Sequence, residues 1–219
     1  DEGPAAKPET RRVWCAFNGE MLGEYAKVFR EAVDEVSPKT FLGLQAAMGG
    51  YTVNGDGLKK VLGAFAGNGT TGVRPGIGHY TDEYPRVMIR KLLRMSREAW
   101  QARTLPQTVQ VCYEAENWPH VGALKSPGGM MAECALALAG GCDSLALYWG
   151  ADQNGEFPES HDFWFETLAD WKPFLFGVRE AFAGCTAGGV AAYFGQDLHA
   201  SRNWFCTNDP AETRFGANM

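Results

Sequence analysis

The chain lacks most of what would mark it as a nucleic-acid, membrane, metal or redox protein. Its 20 Lys and Arg are outnumbered by 26 Asp and Glu, giving a net charge of −6. No basic face for a phosphate backbone is expected, and so no nucleic-acid partner. No apolar run reaches the ~18 residues that a membrane helix needs. The longest apolar region is broken by Glu133 and Asp143, and no membrane partner is expected. The four His are scattered, and none of the six Cys (15, 112, 134, 142, 185 and 206) forms a CxxC pair. Neither a metal site nor a redox motif follows from such spacing, and no cofactor is expected. Several Cys fall inside apolar elements and read as buried free thiols. They fix no compartment, so localisation is left unknown. The first residues, DEGPAAKPETRR, are polar and Pro-rich, unlike a secretory signal. Gly76-Ile77-Gly78 lacks the third glycine and following helix of a phosphate fingerprint. Lys125-Ser126 fits no SxxK motif and reads as a loop lysine. No internal repeat is evident.

What remains has the composition of a globular protein, 45% hydrophobic and 21% charged over 219 residues. That length suits one large domain, or one and a half small ones. Aromatics reach 12%, with seven Trp. Flat rings pair well with sugar faces, although core packing is the commoner use of Trp.

Read in order, residues 1–10 form a tail or linker. From Trp14, apolar residues recur at helical steps through Phe17, Met21, Tyr25, Val28, Ala32 and Val36. Ser37-Pro38 ends that helix. A competing reading puts Arg12 to Phe17 in a strand that ends near Glu20. Thr40 to Ala46 reads as a buried strand. Asp56 to Ala66 reads as a helix with Asp56 at its N-cap. The Gly-rich segment from Gly72 to Tyr80 follows a short strand or replaces one. Pro85 to Ala102 is amphipathic and helical, with Ile89, Leu92, Leu93 and Met95 among its apolar positions. A strand from Thr108 to Tyr113 ends in Glu114-Ala115-Glu116-Asn117-Trp118-Pro119. A helix from about Gly129 to Ala139 stops at Gly140-Gly141, and Ser144 to Tyr148 is the next strand, ending in Trp149-Gly150. His161 to Phe182 is helical with an interruption at Pro173, and Gly188 to Phe194 is one more strand. Alternating strands and helices at this spacing predict an α/β fold with a parallel sheet.

Side chains two apart on a strand share a face. Gln110, Cys112, Glu114 and Glu116 therefore share one face, and Val109, Val111 and Tyr113 the other. Both glutamates fall where a strand gives way to a loop, which is where a β/α barrel keeps its chemistry. Glu114 is nearer the strand and more rigidly held. The bland alternative is a pair of solvated rim charges. Trp149 is a candidate sugar platform, and Asn117 and Trp118 can shape a subsite. Arg74, His79 and Tyr80 belong to a Gly/Pro loop at the same strand end, where they can bind hydroxyls or tune a carboxylate. Gln45 ends its own strand toward that mouth. Glu133, in a mostly apolar helix, reads as a helix-end or inter-helix contact. Tyr148 reads as packing.

At YEAENWP, the Gly-Gly-Cys-Asp turn and LALYWG together, the chain resembles a clan A glycoside hydrolase barrel. The likeness is to the β-galactosidase-like family whose barrel is followed by a flavodoxin-like trimerisation domain. Residues 30–38 leading into Phe41-Leu42-Gly43-Leu44, and Val73-Arg74-Pro75-Gly76, support it. The resemblance runs from about Trp14 to Phe194. It implies a partial (β/α)8 TIM barrel, its strands resembling strands five to eight, with the start of a following α/β domain. The domains would then be a tail or linker at 1–10, a C-terminal half barrel at 11–184, and the start of a following domain or a tail at 185–219.

The resemblance implies retaining hydrolysis of an O-glycosidic bond, with the strand-end nucleophile at Glu114 or Glu116. Such chemistry needs two carboxyls about 5–5.5 Å apart, one of them an acid/base. In that family the acid/base ends strand four, which on this alignment lies ahead of residue 1. The competing strand at Arg12 to Phe17 would make Glu20 the acid/base. Catalysis therefore requires the missing barrel half. The expected partners are a carbohydrate substrate and either a copy of the chain or that missing half. The alternative is a non-catalytic carbohydrate-binding or assembly module. A lyase or aldolase on a similar barrel is a third reading, and the lack of an inward Lys at a strand end counts against a Schiff-base aldolase.

Overall fold

A computed structural model describes residues 8–46, 58–75, 79–80, 82, 85–117, 125–148, 162–186 and 188. Among them are five helices and four strands. In chain order these are α1 (Pro8–Val36), β1 (Leu42–Gln45), α2 (Leu58–Ala66), β2 (Thr71–Arg74), α3 (Pro85–Arg103), β3 (Thr108–Glu116), α4 (Pro127–Ala139), β4 (Ser144–Tyr148) and α5 (Asp162–Phe182). The strands form one parallel sheet in the order β1-β2-β3-β4. The fold is α/β. No described helix is long and apolar enough to cross a membrane.

The contacts divide the chain into two compact units. One comprises Asp1–Val73, Gln101–Val109 and Thr186–Met219, the other Arg74–Trp100 and Gln110–Cys185. In the first unit α1 packs on α2, and α2 on β1. The large apolar residues of α1 were expected to face the core, and most do not. Phe17, Met21, Tyr25 and Val28 are each more than half exposed. The buried line is instead Cys15, Gly19, Ala26 and Arg30. Small side chains there let the two helices approach closely. A Cβ at Gly23 would stand 3.2 Å from the Cβ of Lys60. Arg30 closes the end of this seam, donating to the Thr40 carbonyl at 2.7 Å and to the Asp34 carboxylate. Thr71 ties β2 into the unit, its hydroxyl donating to the Leu42 carbonyl at 2.8 Å and its N–H to the Gln107 carbonyl at 2.9 Å.

The competing strand at Arg12 to Phe17 is not formed, because those residues lie in the first turns of α1. The tail also ends sooner than expected, with Pro8 already helical. The strand at Thr40 to Ala46 shortens to Leu42–Gln45. Helix α5 runs unbroken through Pro173. Asp56 as an N-cap and the strand from Gly188 to Phe194 fall on or run into residues outside the described set.

In the second unit, β3 is longer than the sequence suggested and carries both glutamates within the strand. It pairs with β4 in parallel, Cys112 opposite Ser144, Glu114 opposite Ala146 and Glu116 opposite Tyr148. Asp143 fixes the entry to that pairing. Its N–H donates to the Val111 carbonyl at 2.8 Å, and its carboxylate accepts from the Val111 N–H at 2.8 Å. The expected alternation holds from Val111 onward, where Val111, Tyr113 and Ala115 are fully buried and Cys112, Glu114 and Glu116 are intermediate. Val109 departs from it and is half exposed. Tyr148, expected to pack, is half exposed as well. Of the five described Cys, Cys15, Cys134 and Cys142 are buried while Cys185 is exposed.

Helix α4 is well delimited. The Ser126 hydroxyl caps its start by accepting from the Gly129 N–H at 3.0 Å, with Pro127 next in the chain. The Asp82 carboxylate reaches the same turn, accepting from the Ser126 N–H at 2.7 Å and the Ser126 hydroxyl at 2.5 Å. A negative charge there also opposes the positive end of the helix dipole. Gly140 caps the other end, and Gly141 follows with φ of 112°, a conformation that side chains other than hydrogen resist.

Candidate functional site

The parallel strands β2 and β3 end side by side, and each contributes one polar residue to their shared rim. Arg74 is the last residue of β2. Its guanidinium pairs with the Glu114 carboxylate, the two side chains being 18% and 23% exposed. Neither group is free in solvent, and neither is sealed away. Two residues on, Glu116 ends β3 on the same face, and the Tyr80 side chain hydrogen-bonds to it. Arg74 also feels Glu116 and Tyr80 electrostatically. Burial lowers the Arg74 pKa from its ordinary value, and Cys112, Glu116 and Tyr80 oppose that. Burial and the Glu116 bond together push the Tyr80 phenol up to about 12. The cluster is therefore two carboxylates, a guanidinium and a neutral phenol on one half-open strand face.

Behind this rim lies a second cluster, completely dry. Lys125 and Glu133 form an ion pair in which both side chains have no exposure. The Lys125 ammonium also donates to the His79 carbonyl and to the Glu116 carbonyl, the latter at 3.0 Å. Glu133 accepts on its other oxygen from the Tyr113 hydroxyl and from the His79 N–H at 3.3 Å. Tyr113 is fully buried. Burial pushes the Glu133 carboxyl up from its ordinary value, against the pull of Lys125, Tyr113 and His79. It pushes the Tyr113 phenol up too, reinforced by the neighbouring Glu133.

Of the residues singled out from the sequence, Arg74, Tyr80, Glu114 and Glu116 come together. Solvated rim charges do not describe Glu114 and Glu116, since both are partly buried and partnered. His79 is 3% exposed and enters through its backbone. Asn117 is 1% exposed, directly after β3. Gln45 is exposed at the end of β1, in the other compact unit. Trp118 and Trp149 lie outside the described residues. Glu20, the alternative acid/base, is on helix α1 and pairs with Lys60. Among the described residues, no group of three His, Cys, Asp or Glu side chains is arranged to hold a metal.

The sequence reading missed the dry cluster, treating Lys125 as a loop lysine and Glu133 as a helix contact. One signal was available. A carboxylate inside Met130-Met131-Ala132-Glu133-Cys134-Ala135 must find a cation or donors if its helix is buried. Which cation it finds is a property of the tertiary structure.

Scanned against protein-family models, curated proteins and solved structures, the chain matches none.

Proposed function

We propose that this chain supplies the nucleophile side of a retaining glycosidase site, with Glu114 as the nucleophile. The observation that carries this reading is the Arg74–Glu114 pair at the ends of two parallel strands, flanked by the Tyr80–Glu116 bond. A nucleophilic carboxylate must be ionised, aimed and reachable. The ion pair with Arg74 holds Glu114 in place and limits its rotamers. The partial exposure of Glu114 leaves it accessible to a sugar. In the reaction, the Glu114 carboxylate attacks the anomeric carbon as the bond to the leaving oxygen breaks and that oxygen takes a proton from the acid/base carboxyl of the complementary half, and a water deprotonated by the same group later releases the sugar. Glu116 then serves as a contact to a sugar hydroxyl, with Asn117 directly after it in the chain.

The strand order supports a barrel-like frame. Right-handed crossovers between parallel neighbours in the sequence 1-2-3-4 put successive helices on one side of the sheet. A doubly wound sheet instead reverses its order at a switch point. Four strands are half of the eight that close a barrel, so the frame calls for a complementary half, supplied by a copy of the chain or by another segment. The exposed apolar side chains of α1, and of α5 at Phe165, Phe174 and Phe176, fit such further packing.

A panel of aryl β-glycosides, galactosides first, tests the reading on the wild-type chain and on Glu114→Gln. Hydrolysis by the wild type once it is paired with its complementary half, abolished by Glu114→Gln in the same pairing, is the expected result. Equal hydrolysis by both removes Glu114 from the role. A second reading, a carbohydrate-binding module without turnover, is favoured by the position of Glu20 on a helix and not at a strand end. Calorimetry showing that oligosaccharides bind without being cleaved would select it.

A further inference from the structure

We propose that Lys125, together with Glu133, is a positioning residue that sets the Tyr80–Glu116 contact from behind the strand. Only the identity of the ligand at the rim rests on the glycosidase reading, and the positioning role stands on geometry alone. An ammonium has three donors, and Lys125 directs them at three acceptors: the Glu133 carboxylate, the His79 carbonyl and the Glu116 carbonyl. Two of these are backbone groups at the rim. One belongs to Glu116 itself, and the other to the residue just before Tyr80.

Glu133 completes the clamp. It takes the His79 N–H, so residue 79 is held at both its N–H and its C=O by a single ion pair. It also takes the Tyr113 hydroxyl, three residues before Glu116 on the same strand. Residue 79 and the end of β3 are thereby fixed to one ion pair, anchored in helix α4. Stability alone is a poor reason for such a pair, because packed apolar residues commonly do as well in the same volume. What apolar residues cannot do is hold two carbonyls and an N–H at set distances. The consequence at the rim is a fixed separation between the Tyr80 hydroxyl and the Glu116 carboxylate.

The test uses the full chain with 13C-labelled tyrosine. The double variant Lys125→Met/Glu133→Leu removes both charges together and leaves neither one buried alone. Tyr80, identified by its loss in Tyr80→Phe, should titrate near 12 in the wild type. In the folded double variant its midpoint should fall toward the ordinary value of ~10, and the Tyr80 ring should lose its NOE contacts to the Glu116 side chain, which loss of the Glu133 charge alone would leave in place. An unchanged Tyr80 titration in a folded double variant overturns the proposal. If that variant does not fold, the wild type decides through the 15N signal of the Lys125 ammonium. Slow proton exchange, with correlations across the hydrogen bonds to the Glu116 and His79 carbonyl carbons, supports the clamp. Fast exchange without those correlations refutes it. Neither measurement uses a sugar, so failure of glycoside hydrolysis and failure of the clamp are separate outcomes.

Discussion

Strand β3 separates two clusters built from the same parts. On one side Arg74, Glu114, Glu116 and Tyr80 make a cation, carboxylates and a phenol. On the other, Lys125, Glu133 and Tyr113 make a cation, a carboxylate and a phenol. They differ in water. The first group is partly exposed, so its charges can exchange a protein partner for a ligand at modest cost. The second is sealed, so each charge is committed to the partner it has. The contrast shows how burial divides one chemistry into a half-open face and a sealed support. It also gives the two clusters opposite mutational signatures, and the predictions below are ordered by expected effect on stability.

Lys125→Met should have the largest effect, because it leaves the Glu133 carboxylate buried without its cation. A loss of about 3–5 kcal/mol is expected in a guanidinium titration. Adding Glu133→Leu should recover much of that loss, which a simple packing defect would not allow. A single-variant cost below about 1 kcal/mol would erase the distinction between the two clusters.

Tyr113→Phe comes next. It removes a hydroxyl bonded to a buried carboxylate, for an expected cost of about 1.5–3 kcal/mol at neutral pH. It should also change the alkaline limb of the stability curve. Both Tyr80 and Tyr113 have folded pKa values raised above the unfolded value of about 10. Above that pH the unfolded chain releases these protons first, so stability falls as pH rises. The Tyr80 contribution to the fall should be complete by about pH 12, while that of Tyr113 continues beyond. Urea midpoints across this range should therefore decline less steeply in Tyr113→Phe than in the wild type. Parallel declines would contradict the dry environment assigned to Tyr113.

Asp82→Ala should cost about 1 kcal/mol, the usual scale for a lost helix cap. Its carboxylate braces the Ser126 turn beside the dry cluster, and thermal melting is enough to measure the change. Arg74→Met should have the smallest effect on stability, about 1 kcal/mol or less, since its pair is only partly buried and water reaches the carboxylate left behind. Its effect on sugar binding or hydrolysis should be the reverse, a loss out of proportion to the change in stability. Assaying Arg74→Met and Lys125→Met side by side, by unfolding and by glycoside binding, is the sharpest test of the contrast.

How much of this was legible varies along the chain. Strand β4 and the Gly140-Gly141 stop were read closely, because a run of five apolar or small residues between turn residues has few other solutions. The rim was legible in part. Period-two alternation put Glu114 and Glu116 on one face, and the Gly/Pro loop brought Arg74 and Tyr80 to the same end. The buried side of α1 was not legible. Hydrophobicity favoured Phe17, Met21 and Tyr25, while the structure buries Cys15, Gly19 and Ala26, whose small volume lets α2 come close.

The sequence by itself determined the order of strands and helices, the α/β class and the sidedness of the β3 carboxylates. These follow from local spacing, which is written residue by residue. Only the tertiary structure decided that Arg74 meets Glu114, that Tyr80 meets Glu116, and that Lys125 lies without solvent against Glu133. The first two pairings join residues far apart in the chain, and the third joins a residue ahead of α4 to the buried side of that helix. They depend on which groups lose their water, and that is set only when the elements pack.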